Sequence, residues 1–171
     1  GSEMCIRDSI DTGEGLLDSS DRMDFAVGRM VFSDSYEADI LVDKVIEYEN
    51  PDNRGVWNNS VTIMSDDADL SESKNDYPIQ VALDRLGDDL LEKKPFLNVT
   101  KIHSDSFKQV ASAGGDRYPG VESALESRLL QGTLMVNYFG HGGEDGLSNE
   151  FIVDKNMAAT LFHPGKYPLF I

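Results

Sequence analysis

The residues best suited to chemistry lie in one glycine-rich loop. Gly140, His141, Gly142 and Gly143 directly follow an apolar segment, residues 133–139. An imidazole exchanges protons near neutral pH and can act as a general acid–base. Glycine amides can approach a substrate closely and stabilise an oxyanion. His141 is therefore the candidate catalytic residue, with Gly142 and Gly143 as candidate oxyanion or loop residues. The loop alone leaves open a structural histidine in a tight turn.

Two acidic residues continue this loop. Glu144 and Asp145 come directly after Gly143. As carboxylates, they are candidates for supporting His141 or for binding calcium. An acidic pair that only solvates or braces the loop is the alternative.

A second group of acidic residues follows the short apolar run 60–64. Asp66, Asp67 and Asp69 are candidate ligands for calcium or for a basic group of a substrate. Acidic residues alternating in a turn are also common where a loop only faces solvent, so this alternative stays open.

The charge of the chain limits its partners. The formal net charge is −16, from 31 acidic and 15 basic residues. Because such a surface repels phosphate backbones, we predict no binding to nucleic acid. A length of 171 residues with 40% hydrophobic content suits one soluble domain with a core. No apolar run approaches the roughly 20 residues of a membrane helix.

The single cysteine, Cys5, lies in a segment unlike the rest of the chain. Residues 1–9 show no periodicity and read as a non-native sequence artefact. We therefore expect the natural domain to span residues 10–171, without a disulfide framework.

Strands and helices alternate along the sequence. Strand-like runs are predicted at residues 24–31, 60–64, 96–102, 133–139 and 167–171. Helical spacing is predicted at residues 36–49, 76–93, 121–131 and 154–162, with Ser33 or Ser35 as the first cap and Gly132 as a later C-cap. This order predicts an α/β fold, a parallel sheet flanked by helices, whose sites form at the carboxyl ends of the strands. We expect this domain to be truncated inside its last strand.

Five segments in the same order carry a family resemblance. Residues 136–146, VNYFGHGGEDG, closely resemble the histidine motif of the gingipain-type (C25) cysteine peptidases. The resemblance is strongest to the sortase (PorU-like) branch of the type IX secretion system. The other matching segments are residues 24–30, 42–49, 57–69 and 113–119. A departure is Leu147, where related sequences often carry an aromatic residue.

The resemblance implies a caspase-like fold in which a histidine and a cysteine hydrolyse or transfer peptides. His141 matches the histidine of the family, and the cysteine is expected a few residues beyond Ile171. Cys5 is not expected to replace it, because the family order is histidine and then cysteine. No cofactor is required, although calcium fits the acidic loops.

The resemblance further implies a fragment of an endopeptidase or sortase that cleaves C-terminal sorting signals of type IX-secreted proteins. Its partners would be secreted cargo and components of that system, at the bacterial cell surface or outer membrane. The alternative from a different class is a non-catalytic acidic module, derived from a peptidase fold, that binds calcium or a partner protein.

Overall fold

A computed structural model describes residues 28–68, 77–161 and 165–171. The chain divides into two compact units, Gly1–Val42 and Asp43–Ile171. The predicted domain boundaries, residues 1–9 and 10–171, stay a prediction. No helix in the described ranges is long and apolar enough to cross a membrane.

The described residues form four α-helices and eight strands. The helices are α1 (Ser35–Glu49), α2 (Tyr77–Lys93), α3 (Pro119–Gln131) and α4 (Lys155–Thr160). The strands are β1 (Ser60–Ser65), β2 (Asn98–His103), β3 (Val110–Ser112), β4 (Gly115–Arg117), β5 (Met135–Phe139), β6 (Gly146–Leu147), β7 (Val153–Asp154) and β8 (Leu169–Phe170).

A four-stranded sheet forms the centre of the second unit. Its strand order is β2-β1-β5-β8, and all three pairings are parallel. Parallel neighbours need crossover connections, which the helices between the strands provide. The predicted α/β fold with a parallel sheet flanked by helices is confirmed.

Alternate side chains of β1 enter two different hydrophobic clusters. Val61 and Ile63 pack with Leu83 of α2, whereas Met64 packs in a cluster with Leu125 of α3. Because successive side chains of a strand point to opposite faces, one helix covers each face of the sheet. Ile63 and Leu125 are both fully buried.

Several predictions about local structure need correction. The cap of α1 is neither Ser33 nor Ser35: the side chain of Asp34 accepts the N–H of Glu37 at 2.9 Å. Glu37 in turn accepts the backbone N–H of Ser33, the residue before this cap, at 2.8 Å. Of the predicted strand 24–31, residues 24–27 lie outside the described residues, and residues 28–31 are not in a strand.

Two antiparallel hairpins lie outside the predicted strands. β3 pairs with β4, and β6 pairs with β7 directly after the His141 loop. The predicted C-cap is confirmed, because Gly132 closes α3 with a φ of 94°. The N–H of Gly132 donates to the carbonyls of Arg128 and Leu129.

Candidate functional site

The sheet brings two separate segments together at its carboxyl edge. In the parallel pairing of β1 with β5, Ser65 lies opposite Phe139, the last residue of each strand. The residues that follow these strands are Asp66 on one side and Gly140 with His141 on the other. The edge of the sheet therefore places an acidic side chain beside the candidate catalytic histidine.

Asp66 contacts His141 twice through one oxygen. Its Oδ2 accepts the backbone N–H of His141 at 2.9 Å and lies 3.1 Å from the ring Nδ1. The Asp66 side chain is 3% exposed, whereas that of His141 is 42% exposed. Because a carboxylate only accepts hydrogen bonds, this contact favours a proton on Nδ1 and a lone pair on Nε2. An imidazole held in this tautomer can take a proton at Nε2 from a nucleophile.

Asp66 contacts His141 directly, and support from the two acids of the His141 loop stays a prediction. Glu144 and Asp145 are exposed, and Asp145 pairs with Lys155 at 2.7 Å. The sequence interpretation treated Asp66 as a ligand for a cation or substrate and missed this role. The signal in the sequence was its position directly after a buried strand, since the carboxyl ends of parallel strands meet at one edge of a sheet.

The two glycines after His141 have different surroundings. The N–H of Gly143 donates to the carbonyl of Gly146 at 2.9 Å, so this amide is used inside the loop. Gly142 forms an antiparallel bridge with Leu147. The hydrogen bonds of this bridge are made by the residues on either side, Gly143 with Gly146 and Ser148 with His141. The N–H of Gly142 therefore points away from Leu147. Of the two predicted oxyanion residues, the geometry favours Gly142.

A cluster of three carboxylates adjoins His141. Oxygen atoms of Asp66, Asp67 and Glu150 all lie within 4.8 Å of one another. Asp67 also accepts a hydrogen bond from the hydroxyl of Tyr118 at 3.1 Å. Sequence reasoning missed Glu150, and Asp69 lies outside the described residues.

The environment of Asp67 makes its charge unfavourable. Burial is the largest cause, followed by the neighbouring carboxylates of Glu150 and Asp66, and together they raise the pKa of Asp67 to about 6. This acid therefore keeps its proton at a pH where an ordinary aspartic acid is charged.

This pKa predicts a pH-dependent effect of Asp67→Asn on stability. A raised pKa means that the folded state holds the proton more tightly than the unfolded state does. The charged carboxylate therefore lowers the free energy of unfolding above the folded pKa, and this loss of stability disappears as the pH falls and the acid is protonated. The variant should therefore melt higher than the wild type at about pH 7.5, with the gap closing towards about pH 4.5. Thermal unfolding across this range measures the gap. The control Asp116→Asn, at an exposed acid, should show no such change, and a gap independent of pH would contradict the prediction.

Comparison with known families identifies the chain. The family model described as peptidase family C25 matches residues 9–171. The chain belongs to peptidase family C25. No curated protein and no solved structure gives a significant match.

Membership of C25 gives the site a chemical context. This is a family of cysteine peptidases, and the α/β sheet of the chain is consistent with a caspase-like peptidase domain. His141, at the carboxyl edge of this sheet, belongs to the matched region. The only cysteine of the sequence, Cys5, precedes that region and lies outside the described residues.

Proposed function

We propose that this C25 chain carries the histidine half of a peptidase site, with His141 as the general acid–base. The observation that carries the proposal is the double contact of Asp66 with the N–H and Nδ1 of His141. In this reaction a cysteine thiolate attacks the carbonyl carbon of a peptide bond and forms a tetrahedral intermediate. His141, which has taken the proton of the thiol, gives it to the leaving amine as the C–N bond breaks, and the N–H of Gly142 stabilises the oxyanion. Water or an acceptor amine then releases the acyl group from the thioester and the thiol is restored.

We infer that the nucleophile is a cysteine of a longer parent chain, a few residues after Ile171. β8 runs parallel to β5, with Phe170 opposite Val136. If the chain continued in this register, the second residue after Ile171 would be level with Phe139, where β5 ends before His141. A cysteine there would lie beside the imidazole, which supports the expected order of histidine and then cysteine.

The resemblance to the PorU-like branch supports a finer proposal about the substrate. The parent would cleave, and transfer, the C-terminal sorting signals of type IX-secreted proteins at the bacterial cell surface or outer membrane. Its partners would be the secreted cargo and components of that secretion system. No cofactor is needed for this chemistry, since the thiolate, the imidazole and the amides supply every proton and charge.

The parent reading frame tests this proposal. We expect it to encode a cysteine directly after Ile171, and His141→Ala in the parent should lower processing of a cargo protein roughly 1,000-fold or more. Asp145→Ala is the matched control, because Asp145 lies in the same loop but is exposed and pairs with Lys155. A parent without this cysteine, or intact processing by the His141 variant, would remove the catalytic proposal.

A second candidate function is a non-catalytic module that binds calcium or a partner protein. The specific observation in its favour is the cluster of Asp66, Asp67 and Glu150. Carboxylate oxygens are the ligands that calcium prefers, and three of them attract a divalent cation. The exposed acids of the chain offer further contacts to a basic partner.

Calcium titration tests the second candidate. A ligand that binds only the folded state at 100 times its Kd stabilises by about 2.7 kcal/mol, which raises the Tm of a domain of this size by roughly 5–10 °C. Glu150→Gln should reduce this shift, whereas Asp116→Asn, at an exposed acid outside the cluster, should leave it unchanged. A Tm that does not respond to calcium would exclude calcium binding of this strength.

A further inference from the structure

The backbone of His141 is fixed on its carbonyl side by a tyrosine from β5. The hydroxyl of Tyr138 donates to the carbonyl oxygen of His141 at 2.6 Å. The N–H of Ser148 donates to the same oxygen at 2.8 Å. A carbonyl oxygen has two lone pairs, so both are used here.

The amide side of His141 is fixed by Asp66. Oδ2 of Asp66 accepts the His141 N–H and also contacts Nδ1. The peptide groups before and after the His141 Cα are therefore both anchored. The positions of these two peptide groups set the direction of the Cα–Cβ bond. The two anchors therefore determine the direction in which the imidazole side chain leaves the backbone.

Gly140 shows how closely the two anchors converge. A Cβ at this position would lie 2.5 Å from Cβ of Asp66 and 2.5 Å from the hydroxyl oxygen of Tyr138. No side chain larger than that of glycine fits between Asp66 and Tyr138 at this position. The hydroxyl also remains a donor at neutral pH, because burial and the charge of Asp66 raise the pKa of Tyr138 above its usual range.

We propose that Tyr138 is a positioning residue for His141. Its hydroxyl holds the His141 carbonyl and thereby keeps Nδ1 at Asp66, with the lone pair on Nε2. Such a constraint bears on this imidazole because its side chain is 42% exposed, so burial alone does not set its orientation. The catalytic meaning of this role rests on the proposed function, but the orientation itself is a property of this chain.

The test is the tautomer of His141 in the 171-residue chain, measured by heteronuclear NMR of the imidazole nitrogens. The signals of His141 are assigned by their loss in His141→Gln. In the wild type we expect mainly the tautomer with the proton on Nδ1. In Tyr138→Phe, the ratio of this tautomer to the Nε2–H form should fall roughly fivefold, which is the equivalent of one hydrogen bond.

Two other tyrosines provide matched controls. Tyr118→Phe removes a hydroxyl that donates to Asp67 in the neighbouring cluster, and Tyr167→Phe removes one that contacts Glu47 away from the site. Both should leave the His141 tautomer as in the wild type. A general loss of packing would change the His141 signals in these variants as well, whereas a positioning role predicts an effect of Tyr138 alone.

A pair of unnatural residues keeps the test independent of folding in Tyr138→Phe. At position 138, para-aminophenylalanine retains a donor and should restore the wild-type tautomer ratio. At the same position, para-fluorophenylalanine fills the space without donating and should not. A wild-type ratio in the Phe or fluoro variant would overturn the proposal and leave the peptidase assignment untouched. Conversely, a parent chain without the cysteine would remove the catalytic function and leave the tautomer result standing.

Discussion

Replacing Asp66 with alanine should lower the free energy of unfolding by about 3 kcal/mol, since the side chain accepts three contacts at roughly 1 kcal/mol each. Its two oxygens accept the backbone N–H of His141, the Nδ1 of the same residue and the backbone N–H of Asp67. The side chain is 3% exposed, so water cannot replace these contacts without a rearrangement. The loss should appear in chemical denaturation as a lower midpoint with an unchanged m-value.

Asp66→Asn separates the stability of the site from its chemistry. The amide oxygen still accepts the N–H of His141, so about 1 kcal/mol is lost instead of 3. The same oxygen also keeps the contact with Nδ1, because Oδ2 makes both contacts in the wild type, and the NH2 group takes the place of Oδ1 beside the N–H of Asp67. The neutral amide no longer offers a negative charge to the imidazolium that forms when His141 takes a proton. In a complete parent peptidase we expect kcat to fall roughly tenfold, because a neutral acceptor stabilises the imidazolium about 1.4 kcal/mol less than a carboxylate does.

Asp145→Ala is the control for both Asp66 variants. Asp145 pairs with Lys155, but both side chains are at least 70% exposed, and an exposed pair contributes at most about 1 kcal/mol. This variant should therefore unfold close to the wild type. If Asp66→Ala were as stable as Asp145→Ala, the buried contact between Asp66 and His141 would be disproved.

The sequence predicted the strands and helices well because their patterns are local. The apolar runs that became β1 and β5, and the helical spacing of α2 and α3, depend only on neighbouring residues. The position of His141 after β5 follows from the same patterns, together with the glycines that end the strand.

The partner of His141 could not be predicted in this way. Asp66 lies 75 positions from His141 in the sequence, and they meet only because β1 is the direct neighbour of β5 in the sheet. Hydrophobic periodicity gives the strands but not their order. Without that order, the sequence offered the acids nearest to His141, Glu144 and Asp145, as candidates for its support, beside a role in solvating or bracing the loop.

Glu150 was missed for a different reason. It lies between Ser148 and Phe151, which adopt φ values of 63° and 51° without being glycines. Positive φ values are uncommon for serine and phenylalanine, so the path of this segment was not expected from these residues. Tertiary contacts accompany them instead: Arg117 donates to the carbonyls of Glu150 and Phe151. A loop held from outside cannot be predicted from its own residues.

A second large effect on stability is expected at Gly132, the C-cap of α3. This glycine lies shortly before β5, at the end of the sheet opposite to His141. Gly132 has a φ of 94° and a ψ of 142°, a region that side chains rarely adopt and that costs roughly 1–3 kcal/mol. A Cβ would also lie 2.6 Å from Cβ and 2.9 Å from Cγ of Trp57. Because Trp57 is 4% exposed and its Nε1 donates to the carbonyl of Asn53 at 2.8 Å, the ring has little freedom to move away.

Gly132→Ala should therefore lower the free energy of unfolding by about 4 kcal/mol, the sum of backbone strain and overpacking, and lower the Tm by roughly 10 °C. Gly115→Ala is the matched control, because Gly115 has a φ of 109° but nothing within 4 Å of the added Cβ. Its cost should be limited to the backbone, at roughly 1–2 kcal/mol. The difference between the two variants measures the contact with Trp57. Equal losses would mean that Trp57 yields to the extra methyl group and that the packing at this end of the sheet is looser than the distances indicate.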